Sequence, residues 1–372
     1  MVDTKDFINL EPSLSNPFGK FSDGCAMDDF SSQNVVTIDN KLLIDLQHLF
    51  IGPVISEGLY SIVYEGEYKS MPVAIKIIQP DMSANVSPER IVKFQREVTL
   101  LSKVQHDNIV KFIGASMEPA LMLVTELMKG GTLQRYLWSI RPQCPDLKLS
   151  LSFALDISRA MEYLHAIGII HRDLKPSNLL LSEDKMIVKL ADFGLAREET
   201  DSEMTTEAGT YRWMAPEMFS MEPLKIGVKK CYNHKVDVYS FSLILWELLT
   251  NNTPFKGRNN ILVAYATTAT KLRPSMDNIP GEIEPLLSSC WAEDPAERPE
   301  FEQISDTLAN ILRDVCRSST CSPNVFEPEH PTGKQLVNSP VTNCLMDKDA
   351  ESSKKKHRSS CCCFMSTYDN SL

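Results

Sequence analysis

The chain has 372 residues, a formal net charge of −11 and 43% hydrophobic residues. That length suits one large domain or two lobes with ample core, and the acidic balance argues against nucleic acid as a partner, which would need a basic face. Seven of the ten cysteines are scattered with no CxxC pair, and Cys361, Cys362 and Cys363 are consecutive, so neither cysteine-held metal nor a disulfide framework is expected.

Residues 1–46 are rich in Ser, Asn and Asp and read as a flexible N-terminal extension, with one docking element near 38–46. They show no secretory leader and no glycine at position 2, so a soluble intracellular protein without myristoyl is expected. Order is expected to begin near Leu49. Residues 62–68 and 73–78 alternate or are β-branched and predict strands. Ile91, Phe94, Val98 and Leu101 predict a helix over 88–104. Strands are expected again at 109–113 and 121–126, and Gly130-Gly131 marks the hinge. From Leu133 onward three- and four-residue spacings dominate. The longest apolar stretch, 236–249, is too short to span a membrane and is broken by Asp237, Ser240, Ser242 and Glu247. Periodicity fades after Ile311, and residues 314–372 read as a disordered tail. The expected fold is α+β and two-lobed, over 47–313. A small, mainly-β N-lobe (about 47–128) carries one regulatory helix, and a larger, mainly-α C-lobe (about 129–313) follows.

The densest chemistry is the string His171-Arg172-Asp173-Leu174-Lys175-Pro176-Ser177-Asn178, with Asp192-Phe193-Gly194 fourteen residues beyond the asparagine. Phosphoryl transfer needs positioning and charge cancellation more than covalent help. Asp173 is the candidate to orient a hydroxyl nucleophile, and Lys175 can neutralise the moving phosphoryl group. Asn178 and Asp192 offer hard oxygens to metal ions that bridge phosphates. A capped turn is the bland alternative, against which the spacing of the metal donors speaks. Upstream, Val73-Ala74-Ile75-Lys76 puts a lysine on an apolar strand. Alone it would read as an edge-strand gatekeeper, but Glu97 on the next helix supplies a partner. Residues Ile55, Ser56, Gly58 and Ser61 belong to a hairpin loop that could cover phosphates, although only one of three expected glycines is present.

Together these strings resemble the eukaryotic protein kinase family, over about 49–312 or roughly seven tenths of the chain. The resemblance implies that Lys76 pairs with Glu97 and contacts the α- and β-phosphates of ATP. It makes Asp173 the catalytic base, sets Lys175 on the γ-phosphate, and has Asn178 and Asp192 bind Mg²⁺, with Mn²⁺ as a substitute. Thr125 looks like the gatekeeper, Glu126 to Met128 like the adenine-binding hinge, and Val63, Ala74 and Leu180 like the walls of the adenine pocket. Glu217 of Ala215-Pro216-Glu217 should pair with Arg298. Lys175, and Thr210 as a contact of the catalytic aspartate, resemble the serine/threonine pattern. Gly209-Thr210-Tyr211-Arg212-Trp213-Met214-Ala215-Pro216-Glu217 is similar to the tyrosine-kinase-like, Raf-like branch, and residues 232–241 to its plant members in particular. A protein substrate follows from the resemblance, and tyrosine as a further acceptor stays open.

Ser56 and Ser61 depart from the family, standing where it has glycines that let backbone approach phosphate, and Ser242 replaces a helix glycine. Ser56 and Ser61 favour the rival reading, a catalytically weak kinase-fold scaffold that binds nucleotide and partners. The intact Lys76, Glu97, Asp173, Asn178 and Asp192 oppose it. A small-molecule kinase is disfavoured by the Ala-Pro-Glu boundary. Thr200, Ser202, Thr205 and Thr206 lie between Asp192 and Glu217. Phosphate on Thr206, or on Thr205 as a close second, would pair with Arg172, supplied by an upstream kinase or by autophosphorylation. The alternative is an ordinary polar loop. In the tail, Lys354-Lys355-Lys356-His357-Arg358 precedes Cys361-Cys362-Cys363. Basic charge plus acyl chains is the two-signal arrangement for stable anchoring. S-acylation of these cysteines, holding a cytoplasmic protein at the inner face of the plasma membrane, is therefore expected over a plain soluble tail.

Overall fold

Strand alternation sets the first layer. The computed structural model describes residues 38–80, 86–199, 211–220 and 232–320. Strands β1 (Leu49–Glu57), β2 (Ser61–Tyr68) and β3 (Met71–Ile78) precede helix α1 (Pro88–Lys103), and β4 (Phe112–Ser116) and β5 (Met122–Glu126) follow it. They form one antiparallel sheet in the order β1-β2-β3-β5-β4. Side chains alternate between faces, so β3 sends Val73 and Ile75 into a small core with Tyr68, Met122 and Val124. Ala74 and Lys76 therefore point the other way. Helix α1 begins with Pro88 at its first turn, where a missing N–H does no harm. It buries Phe94, Val98 and Leu101, with Glu97 among them.

The second lobe is helical, with α2 (Leu133–Ile140), α3 (Leu147–Ala166), α4 (Lys235–Thr250), α5 (Asn260–Ala269), α6 (Glu284–Cys290) and α7 (Phe301–Thr320). Three short antiparallel pairings accompany them, built from β6 (Ile169–Ile170), β7 (Leu179–Leu181), β8 (Val188–Leu190) and β9 (Arg197–Glu198), with β6 on β9 and β7 on β8, and a bridge from Thr132 to Leu180. Helix α4 is buried all round from Lys235 to Leu248, as expected of a helix at the centre of a helical core. It ends at Asn251, whose left-handed φ of 46° closes the last turn. No helix among the described residues is long and apolar enough to cross a membrane.

Three sequence boundaries shift. Residues 38–46, counted with the flexible extension, pack on the sheet as the docking element expected there, in 3-10 turns at Asn40–Leu42 and Leu46–His48, and Ile44 N–H donates to Ala115 O at 2.9 Å. Residues 109–111 are not strand: Val110 N–H donates to Leu190 O at 2.9 Å, and Ile109 and Val110 are buried against β8 while Lys111 is exposed. Helix α7 runs to Thr320, past the expected tail start at 314. Leu308, Leu312 and Val315 keep the helical spacing and pack on the core, so the stripe outlasts the increasingly polar composition.

Candidate active site

Register fixes which groups share the inner face of the sheet. Val63, Lys76 and Leu123 lie opposite one another across β2, β3 and β5, as do Ala74 and Thr125 across β3 and β5. Directly opposed residues of an antiparallel pair project to one side, so Val63, Ala74, Lys76 and Thr125 line a common wall. Lys76 Nζ donates to Glu97 Oε1 at 2.8 Å and to Asp192 Oδ1 at 3.0 Å. Glu97 is 4% exposed, and burial pushes its carboxyl up against the pull of Lys76. Burial acts against the charged Lys76, but the two carboxylates outweigh it and hold the ammonium protonated. Lys76 in turn brings Asp192 down to about 2. A lysine, a buried glutamate and a firmly ionised aspartate thus join the sheet, α1 and the segment after β8.

The loop after β6 gathers the second cluster. Lys175 Nζ donates to Asp173 Oδ2 at 2.7 Å, and Asn178 Nδ2 donates to Asp173 O at 2.9 Å and to its Oδ2 at 3.0 Å. With its NH₂ so engaged, the Asn178 amide keeps its oxygen as an acceptor. Asn178 and Asp192 are linked through the backbone, Ala191 N–H donating to Asn178 O at 2.8 Å. Both offer hard oxygen donors, which fits Mg²⁺. Arg172 and Asp192 adopt φ values of 69° and 64°, a region that non-glycine residues occupy only when their surroundings enforce it. At Arg172 the enforcing group is Asp237 of α4: its Oδ2 accepts from His171 N–H and its Oδ1 from Arg172 N–H, each at 2.8 Å. Phe193, buried beside Asp192, meets His171 edge-on at 5.3 Å.

The remaining expected residues fall around these clusters. Ile55, Ser56 and Gly58 are exposed and Ser61 is half-buried at the β1–β2 hairpin, which closes through Gly58 N–H to Ser61 O at 2.8 Å. Tyr60 at its tip lies under the Arg90 guanidinium of α1, 4.5 Å from the ring centroid. Glu126 ends β5 and Met128 follows on the connection to α2, where Gly131 takes a φ of 76° and Gly130 has no room for a side chain, since an added Cβ would meet Ser182 O at 2.1 Å. Leu180 and Ala74 are half-buried. The Glu126 side chain pairs with Lys189 at 2.8 Å. Glu217 and Arg298 form a two-pronged pair at 2.6 and 3.0 Å. Ser242 is buried and donates to Tyr239 O at 2.6 Å, so α4 absorbs its hydroxyl. Thr200, Ser202, Thr205, Thr206, Thr210 and Cys361 to Cys363 lie outside the described residues.

This lysine–glutamate–aspartate junction beside an aspartate–lysine–asparagine cluster, on a two-lobed frame, is matched by a family profile. The profile described as protein tyrosine and serine/threonine kinase covers residues 49–308. The chain belongs to the protein kinase family. Among relatives, it is 43% identical over 271 residues to serine/threonine/tyrosine-protein kinase HT1 of Arabidopsis thaliana, covering 71% of this chain and 66% of that protein. It is 41% identical over 278 residues to serine/threonine-protein kinase STY17 of the same plant, covering 73% and 46%. A probable serine/threonine-protein kinase of Dictyostelium discoideum is 38% identical over 271 residues, covering 72% and 28%. The chain thus spans about half to two thirds of the length of the two plant relatives. The plant, Raf-like kinase affinity expected from the sequence accords with them, and the two-lobed α+β kinase fold is the one observed.

Sequence reasoning missed two residues of this kinase domain. Asp237 entered it as a break in an apolar run and as one letter of a family-like string, with no role given, yet it anchors the loop that carries Asp173. A fully buried carboxylate needs partners, and an aspartate inside an otherwise apolar helix was the available signal. Arg212 donates to Phe255 O at 3.0 Å, Arg258 O at 2.9 Å and Asn260 Oδ1 at 3.1 Å, as well as to Pro254 O. It thereby ties the segment before Ala215-Pro216-Glu217 to the loop ahead of α5, and nothing local announces those acceptors.

Proposed function

We propose that the chain transfers the γ-phosphoryl group of ATP to serine or threonine hydroxyls of protein substrates, in intracellular signalling. The observation that carries this reading is the closed ion pair of Lys76 with Glu97, which phosphate-gripping requires, with Asp192 beside it at 3.0 Å. Lys76 would hold the α- and β-phosphates. Asp173, its carboxylate oriented by Asn178 and Lys175, would accept the acceptor hydroxyl's proton, and Lys175 would turn to the transferring phosphate. Asp192 and the Asn178 amide oxygen would hold Mg²⁺, which when bound cancels phosphate charge. Val63, Ala74 and Leu180 would enclose the adenine and Glu126 to Met128 its hydrogen-bonding edge. The intact charged set weighs against the scaffold reading. Tyrosine appears beside serine and threonine in the name of one plant relative, and here it is an acceptor to include in the assay.

The test is purified protein with labelled ATP, Mg²⁺ and a generic protein acceptor, beside Asp173→Asn. Labelling is expected from the wild type and a loss of about a hundredfold or more from the variant. No labelling by either would point to the scaffold, and equal labelling by both would remove Asp173 from the catalytic role.

Control is proposed at Thr206 or Thr205, where a phosphate would pair with Arg172. Thr205→Ala with Thr206→Ala is expected to lower activity sharply, measured on protein whose wild-type loop is phosphorylated by mass spectrometry. Undiminished activity in that comparison would rule the site out. For the tail we propose S-acylation at Cys361, Cys362 and Cys363 and residence at the cytoplasmic face of the plasma membrane, supported by the adjoining basic run.

A further inference from the structure

Away from the cleft, four segments of the C-lobe converge on a set of nitrogen and oxygen donors. His165 is in the last turn of α3, His234 caps the start of α4, Glu300 immediately precedes α7, and Glu199 follows β9. One ligand atom from each of His165, His234 and Glu300 lies within 4.8 Å of the other two.

Proton accounting shows what the set lacks. Asp237 accepts from two backbone N–H groups and also lies 3.0 Å from His165 Nε2, so that nitrogen carries the ring proton. The other nitrogen, Nδ1, is then a bare lone pair. It is buried with no hydrogen-bond partner among the described residues, on a side chain only 8% exposed. His234 lies between two carboxylates, with Nδ1 2.8 Å from Glu199 Oε1 and Nε2 3.0 Å from Glu300 Oε2. A neutral imidazole has one proton and cannot donate to both. Lys235 Nζ holds the other Glu300 oxygen at 2.7 Å. A second proton on His234 would satisfy the Glu300 side but would leave His165 Nδ1 orphaned in the interior. One positive centre bound to both imidazoles and the carboxylate satisfies all three.

We propose that His165 Nδ1, His234 Nε2 and Glu300 Oε2 form a binding site for a zinc-class divalent cation. Two imidazoles and one carboxylate suit zinc and disfavour Mg²⁺, which prefers oxygen alone. Donors on a tetrahedral ion with bonds of about 2.0–2.1 Å stand roughly 3.3 Å apart, close to the 3.0 Å between His234 and Glu300. With one ligand atom of each residue within 4.8 Å of the others, binding would draw His165 Nδ1 in to the ion, and water would take the fourth position. Asp237 and Glu199 already stand behind the two imidazoles, each accepting the N–H that orients a metal-binding ring. The ion would pin α3, α4 and α7 together. Through Asp237 it would brace the loop bearing Asp173, and through Glu199 the start of the segment ending at Glu217. This site touches no substrate and stands independently of the phosphoryl-transfer reading.

The test titrates ZnCl₂ into metal-stripped full-length protein, with Mg²⁺ and a non-hydrolysable ATP analogue saturating the cleft. Bound zinc is counted by competition with a fluorescent indicator. Zinc held by cysteines is common to all variants and cancels in the comparison. Glu199→Gln is expected to weaken one zinc by about tenfold to a hundredfold, and Glu300→Gln and His234→Gln by more. Variants that match the wild type, or a wild type that binds no zinc, would overturn the proposal. Should the variants fail to fold by circular dichroism, X-ray absorption of wild type with one equivalent of zinc decides. Nitrogen and oxygen donors including two imidazoles are expected, and sulfur donors or the lack of imidazole would refute the site.

Discussion

Two buried carboxylates on α4 show how surroundings decide charge. Asp237 is fully buried, yet its carboxyl is held below the usual range: burial pushes it up, and the contacts of His165 and His171 more than reverse that. Glu247, 1% exposed on the same helix, meets Arg141 at 3.3 Å, and burial outweighs that charge and pushes it up to about 7. The folded chain therefore holds this proton more tightly than the unfolded chain does. The resulting stabilisation is complete below the ordinary value of 4.5 and is lost as pH rises towards 7. Glu247→Gln is expected to remove that part of the slope, worth up to about 3 kcal/mol across the window. Urea denaturation of both proteins at several pH values measures it, and parallel curves would show that Glu247 stays ionised.

Among the elements, the short turn before α7 carries an ion pair that ties Arg298 to Glu217. Arg298 is 1% exposed and gives Glu217 two bonds, while its remaining N–H groups reach Ala292 O at 2.9 Å and Lys235 O at 3.0 Å. Glu217→Gln would leave a buried guanidinium without its countercharge, and a loss of about 3–5 kcal/mol is expected by denaturant titration. A loss under about 1 kcal/mol would mean that the backbone carbonyls suffice. This pair was legible in the sequence because Ala-Pro-Glu and Arg298 belong to recognisable strings. Strands β2 and β3 and helix α1 were legible because alternation and helical spacing are local properties. Lys76, Glu97, Asp173, Lys175, Asn178 and Asp192 were legible because their spacing is itself chemical. The acceptors of Arg212, the role of Asp237 and the His165–His234–Glu300 group were not, since each is assembled from segments far apart in the chain. The last turns of α7 were hidden for another reason: one apolar residue per turn holds a terminal helix, and that is too sparse a stripe to stand out.

At the scale of the whole molecule, charge is unevenly placed. The chain is acidic overall at −11, whereas Lys354-Lys355-Lys356-His357-Arg358 is a basic run beside three cysteines. An acidic body would be repelled by an anionic bilayer, so only the tail could be drawn to one. Wild type is expected in the membrane fraction of cells and Cys361→Ser/Cys362→Ser/Cys363→Ser in the soluble fraction. Equal distribution of the two would exclude acylation as the anchor.

Residues 38–46 were described above as packing against the sheet, and their position matters for what the sheet can do in company. An open five-stranded sheet has two rims, each a row of hydrogen-bonding groups able to recruit a foreign strand. At the β4 rim Leu43 bridges Ala115 in parallel, and Ile44 fits so closely on Gly114 that an added Cβ would lie 2.4 Å from it. At the β1 rim the pairing slips between Ile51 and Val54 and again between Val54 and Ser56, with Pro53 inside the first slip, a pattern that spoils a template. One rim is irregular by its own sequence and the other depends on a borrowed segment. A chain trimmed to begin at Gln47 would keep every catalytic group and bare the β4 rim, making self-association its characteristic failure.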